Sequence, residues 1–269
     1  MKIKILLLFF ITLMACNGKS SKPEPTPKTQ PDDKNQNTLL QLIPKIINKY
    51  PHDKNAYTQG LFYHNGYLYE STGLYGKSTL RQVDIKSGNV IKSINLLPQY
   101  FGEGITIFDN KIYQLTWENK KAFVYDLNSF KLLKEFAYPT EGWGITTDGK
   151  QIIVSDGSNF LTYYDANNFS IVNTIMIKQG NKSLYNINEM EMVDGVIYAN
   201  VYMTDTIAII NPNNGDIVGW VDISLLRQNL DDSSNAEVSN GIAYNAETKT
   251  FYLTGKNWSN LFEVVFVEK

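Results

Sequence analysis

The sequence predicts an all-β protein, and three observations point to this fold class. Hydrophobic residues make up 43% of the 269 positions and charged residues only 19%, which is enough apolar content for a packed core. Aromatic residues reach 13%, with 17 Tyr and 13 Phe. The 18 glycines fall mostly between short runs of β-branched and aromatic residues, a pattern typical of strands joined by tight turns.

The N-terminus has the pattern of an export signal. Two lysines precede an apolar run over residues 5–14 that is too short to span a membrane as a helix. Residues 13–16, Leu-Met-Ala-Cys, resemble a bacterial lipoprotein box, in which the signal is cleaved before the cysteine and the thiol is acylated. An ordinary secretory signal with a chance cysteine is the alternative. We expect a signal peptide over residues 1–15, lipidation of Cys16, and export to a periplasm-facing membrane or the cell surface.

Residues 16–40 are predicted to be a flexible tether. This stretch contains four prolines and is otherwise rich in Lys, Ser, Asn and Gln, so it has too little apolar surface to bury. The globular domain is therefore assigned to residues 41–269.

A weak repeat runs through this domain. Hairpins align in a register whose equivalent positions recur every 40 to 52 residues, at Gly60, Gly104, Gly144, Glu189 and Gly241. Periods of this length with four short strands each predict a five-bladed β-propeller. The last repeat lacks its fourth strand, and residues 46–50 could supply it by pairing with the final blade and closing the ring. A β-sandwich is the alternative, but it does not explain a repeating register.

In a propeller the inner strands begin around one mouth of the central channel, so equivalent positions converge there. One residue before the repeat position stand Gln59, Glu103, Trp143, Asn188 and Asn240. Thirteen residues after it, in the return strand, come Gly73, Trp117, Gly157 and Tyr202, with Lys256 in the fifth repeat. The predicted mouth holds one carboxylate, one lysine, three amides and three aromatic side chains.

This combination suits acid–base chemistry. A carboxylate desolvated among aromatic rings has a raised pKa and can exchange protons near neutral pH, while Lys and Asn can stabilise an oxyanion. Each residue also has a simpler interpretation. Glu103 could be a solvated rim carboxylate and Lys256 a surface lysine. The aromatic residues could pack between blades, and the amides could satisfy turn backbones.

The composition excludes several other classes of site. The single cysteine rules out an internal disulfide and a thiolate cluster, and two histidines make His-rich metal sites and most Ser-His triads unfavourable. We expect no metal and no cofactor. The formal net charge of -2 gives no electrostatic reason to expect a nucleic-acid partner.

The chain resembles the glutaminyl cyclases (glutaminyl-peptide cyclotransferases) of the plant and bacterial type. Ten short stretches carry the resemblance in family order and span nearly all of residues 50–264: Tyr-Pro-His-Asp at 50–53 with Ala-Tyr-Thr-Gln-Gly-Leu at 56–61, Leu-Tyr-Glu-Ser-Thr-Gly-Leu-Tyr-Gly at 68–76, Phe-Gly-Glu-Gly-Ile-Thr at 101–106, Gln-Leu-Thr-Trp at 114–117, Glu-Gly-Trp-Gly at 141–144, Ser-Asp-Gly-Ser at 155–158, Asn-Glu-Met-Glu at 188–191, Ala-Asn-Val-Tyr at 199–202, Asn-Gly-Ile-Ala at 240–243 and Thr-Gly-Lys-Asn-Trp at 254–258.

The resemblance implies a β-propeller catalytic domain over residues 41–269. It would convert N-terminal glutaminyl residues of peptides or proteins to pyroglutamate with loss of ammonia, without a metal. Glu103 would be the proton shuttle and Gln59 would orient the attacking amine. Asn188 and Lys256 would polarise the side-chain carbonyl and hold the oxyanion.

The resemblance also implies an aromatic pocket wall made by Phe101, Trp117 and Trp143. Tyr202 stands where the family more often has Trp, which keeps the wall aromatic but puts an indole N–H contact in doubt. Lys54 and Tyr57 replace a common Pro and Phe, and we expect these changes to matter little.

Two other functions remain open from the sequence. A non-catalytic propeller lipoprotein could bind a peptide or glycan in the cell envelope or scaffold a complex, but it would not need a carboxylate opposite a lysine among tryptophans. A propeller enzyme such as a lactonase generally needs several metal-binding carboxylates, and Glu103 alone occupies the first mouth register.

Overall fold

The computed structural model describes residues 39–269. The predicted signal peptide, Cys16 and nearly all of the predicted tether lie outside the described residues. Within residues 39–269 the chain forms 22 strands and one helix of five residues, which confirms the all-β class. No helix in this part of the chain is long and apolar enough to cross a membrane.

Three antiparallel sheets of four strands follow one another along the chain. Sheet I contains β2 (Thr58–His64), β3 (Tyr67–Thr72), β4 (Thr79–Asp84) and β5 (Val90–Asn95). Sheet II contains β6 (Gly102–Phe108), β7 (Lys111–Thr116), β8 (Lys121–Asp126) and β9 (Leu132–Ala137), and sheet III contains β10 (Ile145–Thr147), β11 (Gln151–Ser155), β12 (Phe160–Asp165) and β13 (Ile171–Met176).

The remaining long strands form one eight-stranded sheet with two halves. Half IV contains β16 (Ile187–Val193), β17 (Val196–Val201), β18 (Thr206–Ile210) and β19 (Ile217–Asp222). Half V contains β20 (Ser239–Asn245), β21 (Thr250–Gly255), β22 (Asn260–Glu268) and the N-terminal strand β1 (Leu40–Pro51).

Strand β1 joins the two halves. It pairs antiparallel with β22, from Leu42 opposite Glu268 to Pro51 opposite Asn260, so the upstream strand pairs with the last repeat as the sequence predicted. The strand is longer than the predicted 46–50, because Leu40 also pairs in parallel with Gly219 of β19. Leu40, assigned to the tether from the sequence, therefore belongs to the folded domain.

The first strands of the five groups form a closed ring. Strand β2 contacts β6, β6 contacts β10, β10 contacts β16, β16 contacts β20, and β20 contacts β2. The glycines of the repeat register allow this close approach, because a Cβ on Gly60 would lie 2.4 Å from the Ile105 nitrogen. Glu189 fills the equivalent fourth position, and its carboxylate accepts N–H groups from Leu61 and Ile242, on two other strands of the ring.

Five hydrophobic clusters separate consecutive groups of strands. Each cluster draws its buried side chains from two neighbours in the ring, as when Leu80 and Ile94 of sheet I meet Ile112 and Phe123 of sheet II. A β-sandwich would instead have one core between two sheets, so this packing does not fit that alternative.

Two small elements were not predicted. The hairpin of β14 (Lys178–Gln179) and β15 (Lys182–Ser183) lies between sheet III and half IV, and helix α1 (Ser224–Gln228) lies between the two halves. Both occupy connections between repeats, and helix α1 lies in the longest interval of the register, from Glu189 to Gly241.

Candidate active site

A cavity of about 270 Å³ opens where the inner strands begin. This volume is small for a ligand pocket, since such pockets start at about 300 Å³. Nine side chains line it: Tyr57, Gln59, Phe101, Glu103, Trp117, Trp143, Asn188, Tyr202 and Lys256. The structure thus brings together around one cavity all eight residues that the sequence analysis named as catalytic or substrate-binding, and it adds Tyr57.

Bulges at the start of four inner strands aim the polar side chains. The pairing register shifts between Thr58 and Gly60 in β2, and at the corresponding places in β6, β16 and β20. A bulge leaves a residue unpaired and redirects its side chain, and bulges are common beside active sites. The residues in these bulges include Gln59, Glu103, Asn188 and Asn240, the same positions that the repeat register selected.

Glu103 is a buried carboxylic acid group, with its residue only 5% exposed. Burial raises the pKa of Glu103 well above its usual value, Lys256 opposes this rise, and the like charge of Glu141 adds to it. The Gln59 amide donates a hydrogen bond to Glu103 Oε1 at 3.1 Å. The interpretation of Glu103 as a solvated rim carboxylate therefore does not hold.

Lys256 follows β21 and is 4% exposed, so it is not a surface lysine. Its Nζ lies 4.8 Å from the ring centroid of Tyr57 and 5.2 Å from that of Tyr202. Burial lowers the pKa of Lys256, while Glu103 and Glu237 oppose the decrease. Within residues 39–269 its Nζ has no ion-pair partner, which leaves this cation available to a ligand in the cavity.

A chain of amides fixes the orientation of Gln59. The Asn240 amide donates to the Thr58 carbonyl at 3.1 Å and to Gln59 Oε1 at 3.3 Å, so Gln59 Nε2 faces Glu103. Asn240 was expected at the mouth, but it lies behind Gln59 and does not line the cavity. The buried Oδ1 atoms of Asn188 and Asn240 both lack a hydrogen-bond partner among residues 39–269, but only Asn188 lines the cavity.

Two aromatic pairs form the wall. The rings of Phe101 and Trp117 meet edge to face at 5.6 Å between centroids, and those of Trp143 and Tyr202 at 5.5 Å. The two glycines of the second mouth register make room for these rings. A Cβ on Gly73 would lie 2.3 Å from the Phe101 ring, and a Cβ on Gly157 would lie 2.7 Å from the Trp143 ring.

Tyr57 is the lining residue that the sequence analysis undervalued. We expected its replacement of Phe to matter little, but its ring lines the cavity beside Lys256 and its hydroxyl donates to Glu237 at 3.1 Å. Burial first, and Glu237 second, raise the pKa of this phenol. One feature of the sequence could have indicated this role. Tyr57 lies two residues before Gln59, within the stretch at residues 56–61 that carries the family resemblance.

Comparisons with known proteins show the family of the chain. A family model described as glutamine cyclotransferase matches residues 13–266. The chain is 35% identical over 224 residues to the glutaminyl-peptide cyclotransferase of Arabidopsis thaliana, a match that covers 82% of this chain and 70% of that protein. The crystal structure of Myxococcus xanthus glutaminyl cyclase is similar, with a TM-score of 0.81, 32% sequence identity, and coverage of 86% of this chain and 100% of that one.

The fold and the cavity define an all-β protein with a buried carboxyl group and a buried lysine in one aromatic pocket. The chain belongs to the glutamine cyclotransferase family. This membership confirms the resemblance drawn from the ten sequence stretches, and it does not favour a non-catalytic scaffold.

Proposed function

We propose that this protein converts the N-terminal glutaminyl residue of peptides or proteins to pyroglutamate and ammonia. One observation carries the proposal. Within the described part of the chain, a buried carboxyl group of raised pKa shares a small aromatic cavity with a buried lysine that has no ion-pair partner and an amide oxygen that has no hydrogen-bond partner. The names of the Arabidopsis and Myxococcus relatives indicate the same reaction.

The substrate supplies its own nucleophile. Its α-amine attacks the carbonyl carbon of its own side-chain amide, a C–N bond forms, and the C–N bond to the departing nitrogen breaks. Glu103 takes one proton from the attacking amine and delivers it to the leaving nitrogen, so ammonia departs without a net proton change. No covalent bond to the protein is needed, which fits the nine lining side chains found within residues 39–269, none of which is Ser or Cys.

Two side chains suit the charge that develops on the amide oxygen. Lys256 offers an unpaired cation, and the Asn188 amide can donate an N–H to the same oxygen. The free Oδ1 of Asn188 can then accept a hydrogen bond from the departing nitrogen. Gln59 Oε1 has a second lone pair with which to orient the α-amine.

The aromatic wall favours cyclisation over hydrolysis. A cavity of this size holds the glutaminyl side chain in a folded rotamer and leaves little space for water, which would otherwise give the open-chain glutamate. Because Lys256 supplies the positive charge in this mechanism, we propose that the reaction is metal-independent.

We also propose the finer architecture. The ring of five inner strands, with a hydrophobic cluster between each pair of neighbours, supports a five-bladed β-propeller in which β1 completes the last blade. We assign residues 1–15 to a signal peptide and Cys16 to a lipid anchor in the cell envelope. Detergent phase partitioning of the parent protein and of Cys16→Ala would test the anchor, because only the parent should enter the detergent phase.

Turnover of a Gln-initiated dipeptide tests the proposed activity. We expect the purified protein to release ammonia from glutaminyl-alanine and to yield the pyroglutamyl product. Alanyl-glutamine, in which the side-chain amide is not on the N-terminal residue, is the matched control and should release none. Equal release from both dipeptides would indicate a simple amidase and contradict the proposal.

A further inference from the structure

Glu141 joins the two tryptophans of the pocket wall. The indole Nε1–H of Trp117 donates to Glu141 Oε2 at 2.8 Å, and that of Trp143 donates to the same oxygen at 3.1 Å. Both indoles line the cavity, whereas Glu141 does not. Trp117 follows β7 of sheet II and Trp143 precedes β10 of sheet III, so one carboxylate oxygen ties two neighbouring sheets together at the mouth.

The segment that carries Glu141 is held against the turn that carries Trp117. The Tyr138 hydroxyl donates to the Thr116 carbonyl at 2.6 Å. Gly142 packs so closely here that a Cβ would lie 2.0 Å from the Tyr138 hydroxyl oxygen. The carboxylate is therefore placed by well-packed backbone rather than by a free loop, as a positioning role requires.

We infer that Glu141 is a positioning residue for the cyclisation, which fixes the Trp117 and Trp143 rings as the wall against which the folded glutaminyl side chain lies. This inference rests on the proposed function. An indole held by its N–H cannot rotate about its side-chain bonds without losing a charge-assisted hydrogen bond. The wall is thus preorganised before the substrate enters, and the rings need not be ordered on binding.

The charge of Glu141 has a second effect. The charged and titratable groups that face Glu103 are Lys256 and Glu141, together with the phenols of Tyr57, Tyr75 and Tyr138. Burial and the negative charge of Glu141 both raise the Glu103 pKa, and the positive charge of Lys256 lowers it. Removing the Glu141 charge while keeping its hydrogen bonds should therefore lower the Glu103 pKa.

Two substitutions separate these effects. Glu141→Ala removes both the acceptor and the charge, whereas Glu141→Gln keeps an oxygen acceptor for the indoles and removes only the charge. Glu118→Gln is the matched control, because this exposed carboxylate follows Trp117 directly. Among residues 39–269 its side chain accepts a hydrogen bond only from the Tyr75 hydroxyl, at 3.3 Å. All variants are made in the full-length chain.

The indole N–H signals give a readout that does not depend on turnover. The chain has four tryptophans, so a ¹H–¹⁵N spectrum holds four indole signals, which single Trp→Phe variants assign. In Glu141→Ala we expect the Trp117 and Trp143 signals to move and to exchange faster with solvent. In Glu141→Gln and Glu118→Gln the same protons should stay protected.

Kinetics on glutaminyl-alanine complete the test. Glu141→Ala should raise KM and lower kcat/KM by roughly a hundredfold, the scale expected when a pocket wall is misplaced by about 1 Å. Glu141→Gln should keep KM near that of the parent, while the acid limb of its kcat/KM profile moves to lower pH. Glu118→Gln should change neither.

Unchanged indole signals and an unchanged KM in Glu141→Ala would overturn the inference, as would a Glu141→Gln variant that behaves like Glu141→Ala in both measurements. If the parent itself releases no ammonia, the proposed function fails, but the indole signals still show whether Glu141 holds the two rings.

Discussion

The buried carboxyl group and the buried lysine of the cavity have pKa values displaced toward each other. Burial raises the pKa of Glu103 and lowers that of Lys256, and the partial attraction between the two groups does not cancel either effect. A carboxyl group with a raised pKa can exchange protons closer to neutral pH than an ordinary glutamate, which stays ionised there. The unusual pKa values of these two common side chains therefore come from their burial.

Lys256→Met tests the cationic half of this pair. Methionine keeps an unbranched apolar stem of similar length but removes the charge that is proposed to stabilise the oxyanion. We expect kcat to fall by about a hundredfold or more, the usual loss when one oxyanion donor is removed. Steady-state kinetics on a Gln-dipeptide measure this. A variant that loses only affinity, with kcat intact, would show that Lys256 binds substrate without stabilising the transition state.

At the residue scale, the sequence predicts which side chains line the cavity, but it does not predict which neighbouring residues hold them in place. The repeat register selects Gln59, Glu103 and Asn188 because the inner strands carry bulges at equivalent places. The two mouth registers do not include Tyr57 or Glu141, which both stand three residues before the repeat position, as Phe101 does. Their roles depend on a ring and an oxygen meeting side chains from other strands, and a periodic pattern contains no such information.

At the level of elements, the end of β1 is held by a buried charged network. Nδ1 of His52 lies 2.8 Å from the Trp258 carbonyl oxygen, and Nε2 lies 3.0 Å from Glu70 Oε1. Both partners are acceptors, so the imidazole satisfies them only when it carries two protons. Arg81 completes the network by donating to Glu70 at 2.8 Å and to Asp53 at 3.0 Å.

This network predicts a specific pH dependence of stability. Burial lowers the pKa of His52, but Glu70 and the Trp258 carbonyl outweigh it, so the folded-state pKa lies above the usual 6.5. The stabilisation from a raised pKa is fully present below about pH 6.5 and is lost as the pH rises through the folded-state value. His52→Gln should therefore cost the most at mildly acidic pH, about 3 kcal/mol as for a broken buried ion pair.

Denaturant unfolding of the parent and of His52→Gln across pH 5.5 to 9 checks this dependence, with the pH range set by the ordinary pKa of about 6.5. The difference in unfolding free energy between the two proteins should shrink as the pH rises. A difference that grows with pH, or one that does not change, would show that His52 is neutral in the folded protein.

Strand β1 should be essential for stability. Deleting residues 41–50 exposes the edge of β22 and removes the link between the two halves of the large sheet. We expect the melting temperature to fall by more than about 10 °C, since 1 kcal/mol corresponds to about 2–4 °C in a domain of this size. Deletion of residues 22–31, also ten residues but upstream of β1, is the control and should leave melting unchanged. Equal melting of the two deletions would contradict the closing role.

Some strands and the helix could not be predicted from the sequence pattern. Residues 46–50 were recognised as a strand by their position before the first repeat, but residues 40–45 were not, because their pairing depends on both β19 and β22. Helix α1 and the β14–β15 hairpin were missed for a different reason, since insertions between repeats do not follow the repeat period.

On the scale of the whole molecule, closure of the ring creates the site. Side chains of the cavity come from sheets I, II and III and from both halves of the large sheet, and they are up to about 200 positions apart in the sequence. Within residues 39–269, Glu103 and Lys256 come from different sheets, and the aromatic wall comes from more than one sheet. The repeat could be predicted from the sequence because its strands occupy equivalent positions in successive repeats. The same equivalence places Glu103 and Lys256 at one mouth of the ring.

The central claim is that Glu103 moves the proton during cyclisation, and turnover by Glu103→Gln tests it most directly. The amide keeps the size of the side chain and can still contact Gln59, but it cannot exchange the proton. For ammonia release from glutaminyl-alanine, with Glu118→Gln as the control, we expect kcat to fall by about two to four orders of magnitude and KM to change much less. The melting temperature should stay near that of the parent. Turnover by Glu103→Gln at close to the parent rate would contradict the account.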